Sequence, residues 1–208
     1  MTGSRVLGAG TLAQRERAVD AALAALRRGE PVGVPTDTVY GLAADAADAD
    51  AIQQLFELKD RPADRSIAVL VADFAGAGTL VEFTAPAQRL AERFWPGPLT
   101  IVAARRFDAP AHLGTGGTIG VRLPDDGIMR AIAAPGPLAV TSANLHGGPT
   151  PATAQDVADL FPALGLVIDA GPRPGSSSTV VDATGDAPEV LREGSVTKQQ
   201  IMEIFHDI

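Results

Sequence analysis

The sequence predicts an α/β fold: a mixed sheet with flanking helices, in one domain. Three observations predict it. Short β-branched and aliphatic runs alternate with longer segments of helical periodicity. Turn and cap residues punctuate the changes from one to the other. Strand-like runs also follow one another directly near 99–123 and 179–192, which a purely parallel sheet with helical crossovers would not allow. With 208 residues, the chain is long enough for one well-buried core. Residues 1–208 are read as a single domain, with the core at about 12–194 and a closing helix at 197–206.

The elements follow in order. Thr11 caps a helix that runs to Arg28, with Leu12, Val19, Leu23 and Leu26 at helical spacing and Gly29 as its stop. Pro31-Val-Gly-Val-Pro35 is a short buried strand leading into a polar turn. Asp50 to Lys59 is a helix with Ile52, Leu55 and Phe56 on its inner face. Ser66 to Val71 is a strand. Thr84 caps a helix from Ala85 to Phe94, which the Pro96-Gly97-Pro98 turn ends. Strands are expected at Leu99–Ala104 and Thr118–Leu123, a helix at Asp125–Ala133, a strand at Leu138–Thr141 and a helix at Thr153–Phe161, its start supported by Asp156. The last strands are Leu166–Asp169, Thr179–Asp182 and Val190–Arg192. Thr197 and Gln200 form a capping box for the final helix. Pro172 to Ser178 has the composition of a flexible linker.

Bulk composition narrows the function. There is no cysteine, so disulfides, thiolate metal sites and a cysteine nucleophile are excluded. The net charge of −8 disfavours extensive polynucleotide binding, which usually needs a basic face. No run approaches the ~20 apolar residues of a membrane span. The amino terminus lacks a basic region followed by an apolar stretch, so no secretory signal is read and the expected location is the cytoplasm. His112, His146 and His206 show no metal-ligand spacing, with His206 expected to be solvated near the carboxyl terminus. No G-x-S-x-G, H-E-x-x-H or Walker pattern occurs. What remains is a set of hydroxyls and cations suited to positioning an anion and stabilising developing charge.

Six segments carry such groups. Pro35-Thr-Asp-Thr-Val-Tyr-Gly-Leu42 delivers two hydroxyls, a carboxylate and a phenol at a strand end, although Thr36 and Thr38 could equally close a turn. Lys59-Asp-Arg61-Pro62, with Arg65 nearby, could be a solvated helix end or a phosphate clamp held close to the sheet. Arg122 shares a strand face with Thr118 and Gly120 by alternation; if that face is buried, it needs either a protein carboxylate or a ligand carboxylate. Thr141-Ser-Ala-Asn144 and His146-Gly-Gly-Pro-Thr150 allow close backbone approach, or form an ordinary polar turn. Pro174-Gly-Ser-Ser-Ser-Thr179 reads as a linker or a loop around an anion, and Arg192 as an edge-strand charge or a ligand contact.

Taken together, these segments resemble the YrdC/TsaC family of threonylcarbamoyl-AMP synthases. The resemblance rests on Pro35–Leu42, Lys59-x-Arg61-Pro62, Trp95-Pro-Gly-Pro-Leu-Thr100, Thr118-x-x-x-Arg122, Ser142-Ala-Asn144 with Pro149-Thr-Pro151, Ser178-Thr-Val-Val-Asp182 and Leu191-Arg-x-Gly194, in that order along most of the chain. It implies a twisted, open sheet with a concave, positively lined face. It also implies a nucleotidyltransfer reaction in which L-threonine, bicarbonate and ATP, accompanied by Mg²⁺, give threonylcarbamoyl-AMP and pyrophosphate. That product feeds the threonylcarbamoyladenosine modification of tRNA through separate partner proteins. The chain is expected to be the single-domain form.

By position, the resemblance assigns Lys59, Arg61, Ser142 and Asn144 to a catalytic tetrad. Lys59, Arg61, Thr118, Asn144 and Arg192 are assigned to ATP, and Thr36, Arg122, Ser142 and Ser178 to L-threonine, with no dedicated protein ligands for the metal. Three positions depart from the family pattern: Asp60 stands between the two cations, Ser66 replaces a common proline, and Ala152 replaces a larger or polar residue. Two other readings compete. One is an RNA-binding module of the same fold, which the net charge disfavours. The other is a carbamoyl-transfer domain like those of hydrogenase maturation proteins, which sit in long multi-domain chains.

Overall fold

The first strand, β1 (Arg5–Gly8), lies at one edge of the sheet and leads into α1 (Leu12–Leu26). The computed structural model describes residues 3–59, 67–145 and 147–206. The following elements are β2 (Val32–Val34), β3 (Gly41–Asp45), α2 (Ala49–Leu58), β4 (Ala68–Leu70), α3 (Phe74–Gly78), β5 (Val81–Glu82), α4 (Ala85–Phe94) and β6 (Leu99–Arg105). A short 3₁₀ turn (Ala111–Leu113) precedes β7 (Thr118–Arg122), α5 (Gly127–Ala133), β8 (Leu138–Ser142), α6 (Ala154–Leu160), β9 (Leu166–Asp169), β10 (Thr179–Asp182), β11 (Glu189–Arg192) and α7 (Lys198–His206). The strands pair in the order β1-β9-β2-β3-β8-β4-β7-β6-β10-β11, with β5 added to β6.

The sheet is mixed, as expected. The β1/β9, β9/β2, β4/β7 and β6/β10 pairs are parallel, and the others are antiparallel. No helix among the described residues is long and apolar enough to cross a membrane.

The caps read from the sequence are in place. Thr11 accepts the Gln14 N–H and the Gln14 side chain accepts in return, while Gly29 ends the helix segment with a φ of 74°. Thr84, Thr153 and the Thr197/Gln200 box hold their helices in the same way. Four elements are absent from the sequence reading: β1, β3, α3 and β5. Strand β3 is Gly-Leu-Ala-Ala-Asp, poor in strand-forming residues, and owes its conformation to β2 and β8 pairing on its two sides.

The inner face of α1 is also a correction. Leu12 is 74% exposed, and the buried positions are Ala18, Ala22, Ala25 and Leu26. Small residues let this helix settle close to the sheet, and the first turn projects past it.

Alternation along the strands divides the side chains between two faces. On one face, Leu42, Val69, Val121 and Ala103 pack against α2, α3 and α6, and Leu99, Ile101 and Val181 continue this layer against α4 and α7. On the other face, α1 and α5 cover Val32, Val34, Leu138, Leu166 and Ile168. Leu70 and Val140 mark the border of that cover. Beyond them, Ala68, Thr118, Gly120, Arg122, Thr100, Val102 and Val180 of β4, β7, β6 and β10, together with Ser178 just before β10, line a cavity of about 210 Å³. The fold therefore leaves half of one sheet face without a helix among the described residues, and small and polar side chains occupy it.

Candidate functional site

Arg122 forms the floor of this cavity. It ends β7, is 5% exposed, and points to the uncovered face with Thr118 and Gly120, as strand alternation predicts. Gly120 keeps that floor low: a Cβ there would stand 3.2 Å from the Thr100 methyl group. The guanidinium donates through Nε to the Gly97 carbonyl (3.0 Å), through Nη1 to Thr38 Oγ1 (3.2 Å) and through Nη2 to Asp37 Oδ1 (2.6 Å). Burial pulls its pKa below the usual arginine range, and the Asp37 carboxylate opposes that effect. Of the two partners the sequence allowed, the arginine thus has a protein carboxylate, and it also faces the cavity.

The turn before β3 sets this arrangement. Thr36 Oγ1 donates to the Val39 carbonyl (2.6 Å) and accepts the Thr38 and Val39 N–H groups at 3.1 Å. Its proton is therefore spent, so the 3.0 Å contact between the two threonine hydroxyls has Thr38 as donor. A directed chain results, from Arg122 to Thr38 to Thr36 to the Val39 carbonyl, in which each bond polarises the next. Thr36 lines the cavity, but its hydroxyl is committed to closing the turn. Tyr40 has no place in the site. Its ring is fully buried on the covered side, and its hydroxyl donates to the Gly171 carbonyl at 2.8 Å.

At one flank of the cavity, Ser178, the residue before β10, shares a hydrogen bond with Thr100 Oγ1 (3.0 Å), and Arg192 on the edge strand β11 donates to the Ser178 carbonyl (2.8 Å). Burial and the charge of Arg122 both hold the Arg192 guanidinium below its usual range. Thr118 lines the cavity with its hydroxyl turned to the Thr115 carbonyl.

The opposite flank is built at the end of β8. Lys59, the residue after α2, is only 4% exposed, so it is not part of a solvated helix end. Its ammonium donates to Thr141 Oγ1 (3.2 Å), to the Ser142 carbonyl and to Asn144 Oδ1 (3.3 Å). Ser142 Oγ donates to the same Asn144 oxygen, and Asn144 Nδ2 donates to the Leu145 and Gly148 carbonyls at 2.9 Å. Three of the four expected tetrad residues, Lys59, Ser142 and Asn144, therefore form one network. Arg61, with Asp60, Arg65, Ser66 and His146, lies outside the described residues, as does the side chain of His206.

The stretch from Pro172 to Ser178 corrects its linker reading. Arg173 donates through its backbone to the Ala152 carbonyl (2.7 Å), through Nε to the Thr36 carbonyl (2.8 Å), and through Nη2 to Asp126 (3.3 Å). Ser195 holds the Ser176 and Ser177 carbonyls. A Cβ on Gly175 would stand 2.5 Å from the Thr38 carbonyl oxygen, so only glycine lets this segment lie on the turn. Polar composition suggested a free loop, but these polar groups find protein partners. Ala152 contributes its carbonyl, which any residue would supply.

Sequence reasoning flagged the Asp37 carboxylate and the Thr38 hydroxyl as a candidate segment and Thr100 within a motif, but gave none of the three its own role, and it missed Arg173. Thr100 was accessible from the alternation of Leu99, Ile101 and Ala103 with Thr100 and Val102. Arg173 carried no local signal. His112, one of the histidines considered, places Nε2 2.9 Å from the Ala46 carbonyl. Among the described residues, no group of three or more histidine or acidic side chains is arranged to hold a metal ion.

Comparison with known proteins adds independent findings. The family model described as telomere recombination, which covers the Sua5, YciO and YrdC proteins, matches residues 24–194. The threonylcarbamoyl-AMP synthase of Bacillus subtilis is 39% identical over 197 residues, 90% of this chain and 56% of that protein. A Mycobacterium tuberculosis relative is 37% identical over 92% of this chain and 91% of its own length. Among solved structures, Pyrococcus abyssi Sua5 complexed with L-threonine superimposes with a TM-score of 0.90 at 35% identity, over 99% of this chain and 62% of that one. Escherichia coli YciO superimposes with a TM-score of 0.86 at 25% identity, over 97% of this chain and 100% of that one. The chain spans little more than half the length of the Bacillus and Pyrococcus synthases it matches, 56% of each. Its sequence and its fold place it in the Sua5/YciO/YrdC family.

Proposed function

We propose that this chain catalyses formation of threonylcarbamoyl-AMP and pyrophosphate from L-threonine, bicarbonate and ATP. The observation that carries this reading is the uncovered half of the sheet face. It brings a buried guanidinium and a row of hydroxyls, set among small aliphatic side chains, to one cavity whose Thr141 and Ser142 side joins the lysine-centred polar network. Arg122 would bind the amino-acid carboxylate through the N–H groups its protein partners leave over, since a guanidinium has five donors. Ser178 and Ser142 would contact the rest of the amino acid, with Thr36 acting through the turn that holds Thr38. The Pyrococcus relative, whose structure contains L-threonine, supports this choice of ligand.

In the reaction, the threonine amine attacks the bicarbonate carbon, a C–N bond forms, and water leaves with the displaced oxygen. The resulting carbamate oxygen attacks the α-phosphorus of ATP, and the bond to the pyrophosphate oxygen breaks. Most of this chemistry needs placement and charge stabilisation rather than a protein nucleophile. Lys59 and Asn144 would fix the end of β8 where the phosphates meet the carbamate. Arg61, Thr118 and Arg192 would hold the nucleotide. The donor set suits Mg²⁺ arriving on the triphosphate oxygens, because the site's own carboxylate, Asp37, is engaged by Arg122. The product would pass to partner proteins that transfer it to tRNA.

The test is pyrophosphate release on incubation with ATP, L-threonine and bicarbonate, with the adenylate identified by mass. Release is expected to need all three substrates. Release that ignores threonine would sink the assignment.

A further inference from the structure

A cavity that takes a carboxylate and a triphosphate side by side must keep each anion in its own place. Arg122 and Arg192 both border it, and either would accept a phosphate oxygen as readily as a carboxylate. Among the described residues, Asp37 is the carboxylate paired with Arg122. Asp37 lies against Arg122 Nη2 at 2.6 Å, with side chains 10% and 6% exposed. Its position is not accidental to the turn. Thr36 and Thr38, on either side of it, are fixed by the hydroxyl chain that ends on Arg122. Gly175 and Arg173 press the neighbouring loop onto the same turn.

We propose that Asp37 is the specificity-determining positioning residue of the amino-acid subsite: by occupying one donor of Arg122 with a fixed negative charge, it admits a monocarboxylate and excludes phosphate. The inference rests on the proposed function for the identity of the two ligands. Its physical basis is independent of that. Any anion bound to the remaining Arg122 donors lies next to the Asp37 carboxylate, and a phosphate dianion meets about twice the repulsion of a single carboxylate. Asp37 offsets the charge of Arg122, so the pair offers an incoming anion directed N–H donors without net positive charge, which suits a single carboxylate better than a phosphate dianion. Inorganic phosphate, pyrophosphate and the ATP tail are thereby kept off the threonine site, even though they occupy the adjoining space.

The test is calorimetric titration of inorganic phosphate and of L-threonine, separately and in competition, into wild type, Asp37→Asn, Asp37→Ser and Asp37→Glu. Asparagine keeps an acceptor for Nη2 and removes the charge. For folded Asp37→Asn and Asp37→Ser, the ratio of phosphate to threonine affinity is expected to rise at least about tenfold, with phosphate now competing against threonine. Asp37→Glu should keep the wild-type ratio. Adding Arg122→Gln to Asp37→Asn should abolish the new phosphate binding. An unchanged ratio in the folded uncharged variants would overturn the proposal. Loss of the fold in both would overturn it too, by making Asp37 a folding residue alone. If threonine fails to bind wild type while phosphate binding still responds to Asp37, the proposed reaction fails and the role of Asp37 stands.

Discussion

At Lys59, one buried ammonium meets three oxygen acceptors at the end of β8. Replacing it with methionine leaves the Ser142 carbonyl and Asn144 Oδ1 without a charged donor, and hydrogen bonds to charged groups contribute about 1.5–3 kcal/mol each. Lys59→Met is therefore expected to lower denaturant stability by about that amount and turnover by about 10²–10³-fold; unchanged turnover would remove Lys59 from the reaction. Tyr40 offers a second residue-scale test. Burial raises its pKa above the ordinary 10.0. The unfolded chain thus loses the phenolic proton first, so the stabilisation is whole below pH 10 and is lost as pH rises through the folded value. Tyr40 is the only tyrosine, so tyrosinate absorbance reports it alone. It should titrate later in the folded chain than after denaturation, and Tyr40→Phe should flatten the alkaline decline in stability. The need of Arg122 for an anion was legible from alternation alone. Its partner was not, because Asp37 lies 85 residues away and no local pattern carries that pairing.

Among the elements, the strongest signals in the sequence were the caps and the apolar runs. Thr11, Thr84, Thr153 and Thr197 act on their own neighbours, so each could be read locally. Strand β3 could not, since its Ala-rich sequence becomes a strand only through β2 and β8. The same limit applies to the loop before β10. Its glycine and serines look permissive, yet long-range contacts specify them: Gly175 lies on Thr38, and a Cβ on Gly194 would stand 2.1 Å from the Ser177 carbonyl oxygen. Gly194 also donates its N–H to Thr179 Oγ1 at 2.9 Å. Forcing a methyl group into such a contact costs about 1–3 kcal/mol. Gly194→Ala should therefore lower Tm and, by displacing Ser178, raise the KM for threonine more than it lowers kcat. A fall in kcat alone would place the loop's role elsewhere.

For the whole molecule, the decisive feature is the unequal covering of the sheet. Among the described residues, five helices pack one face, while α1 and α5 cover only the β1-side half of the other. The sequence makes the mixed sheet legible, through consecutive strands near 99–123 and 179–192. It hides which half stays bare, because strand order depends on pairings such as β4 with β8 and β6 with β10 that no short window contains. In this half, hydroxyls and guanidiniums stand among small aliphatic side chains, and an amino-acid carboxylate is proposed to bind there at Arg122. Calorimetric titration of L-threonine into the wild type and into Arg122→Gln tests this directly. A single saturable site is expected in the wild type, weakened at least about 100-fold in Arg122→Gln, consistent with loss of a buried charged pair. Equal binding by the two proteins, or none by the wild type, would contradict it.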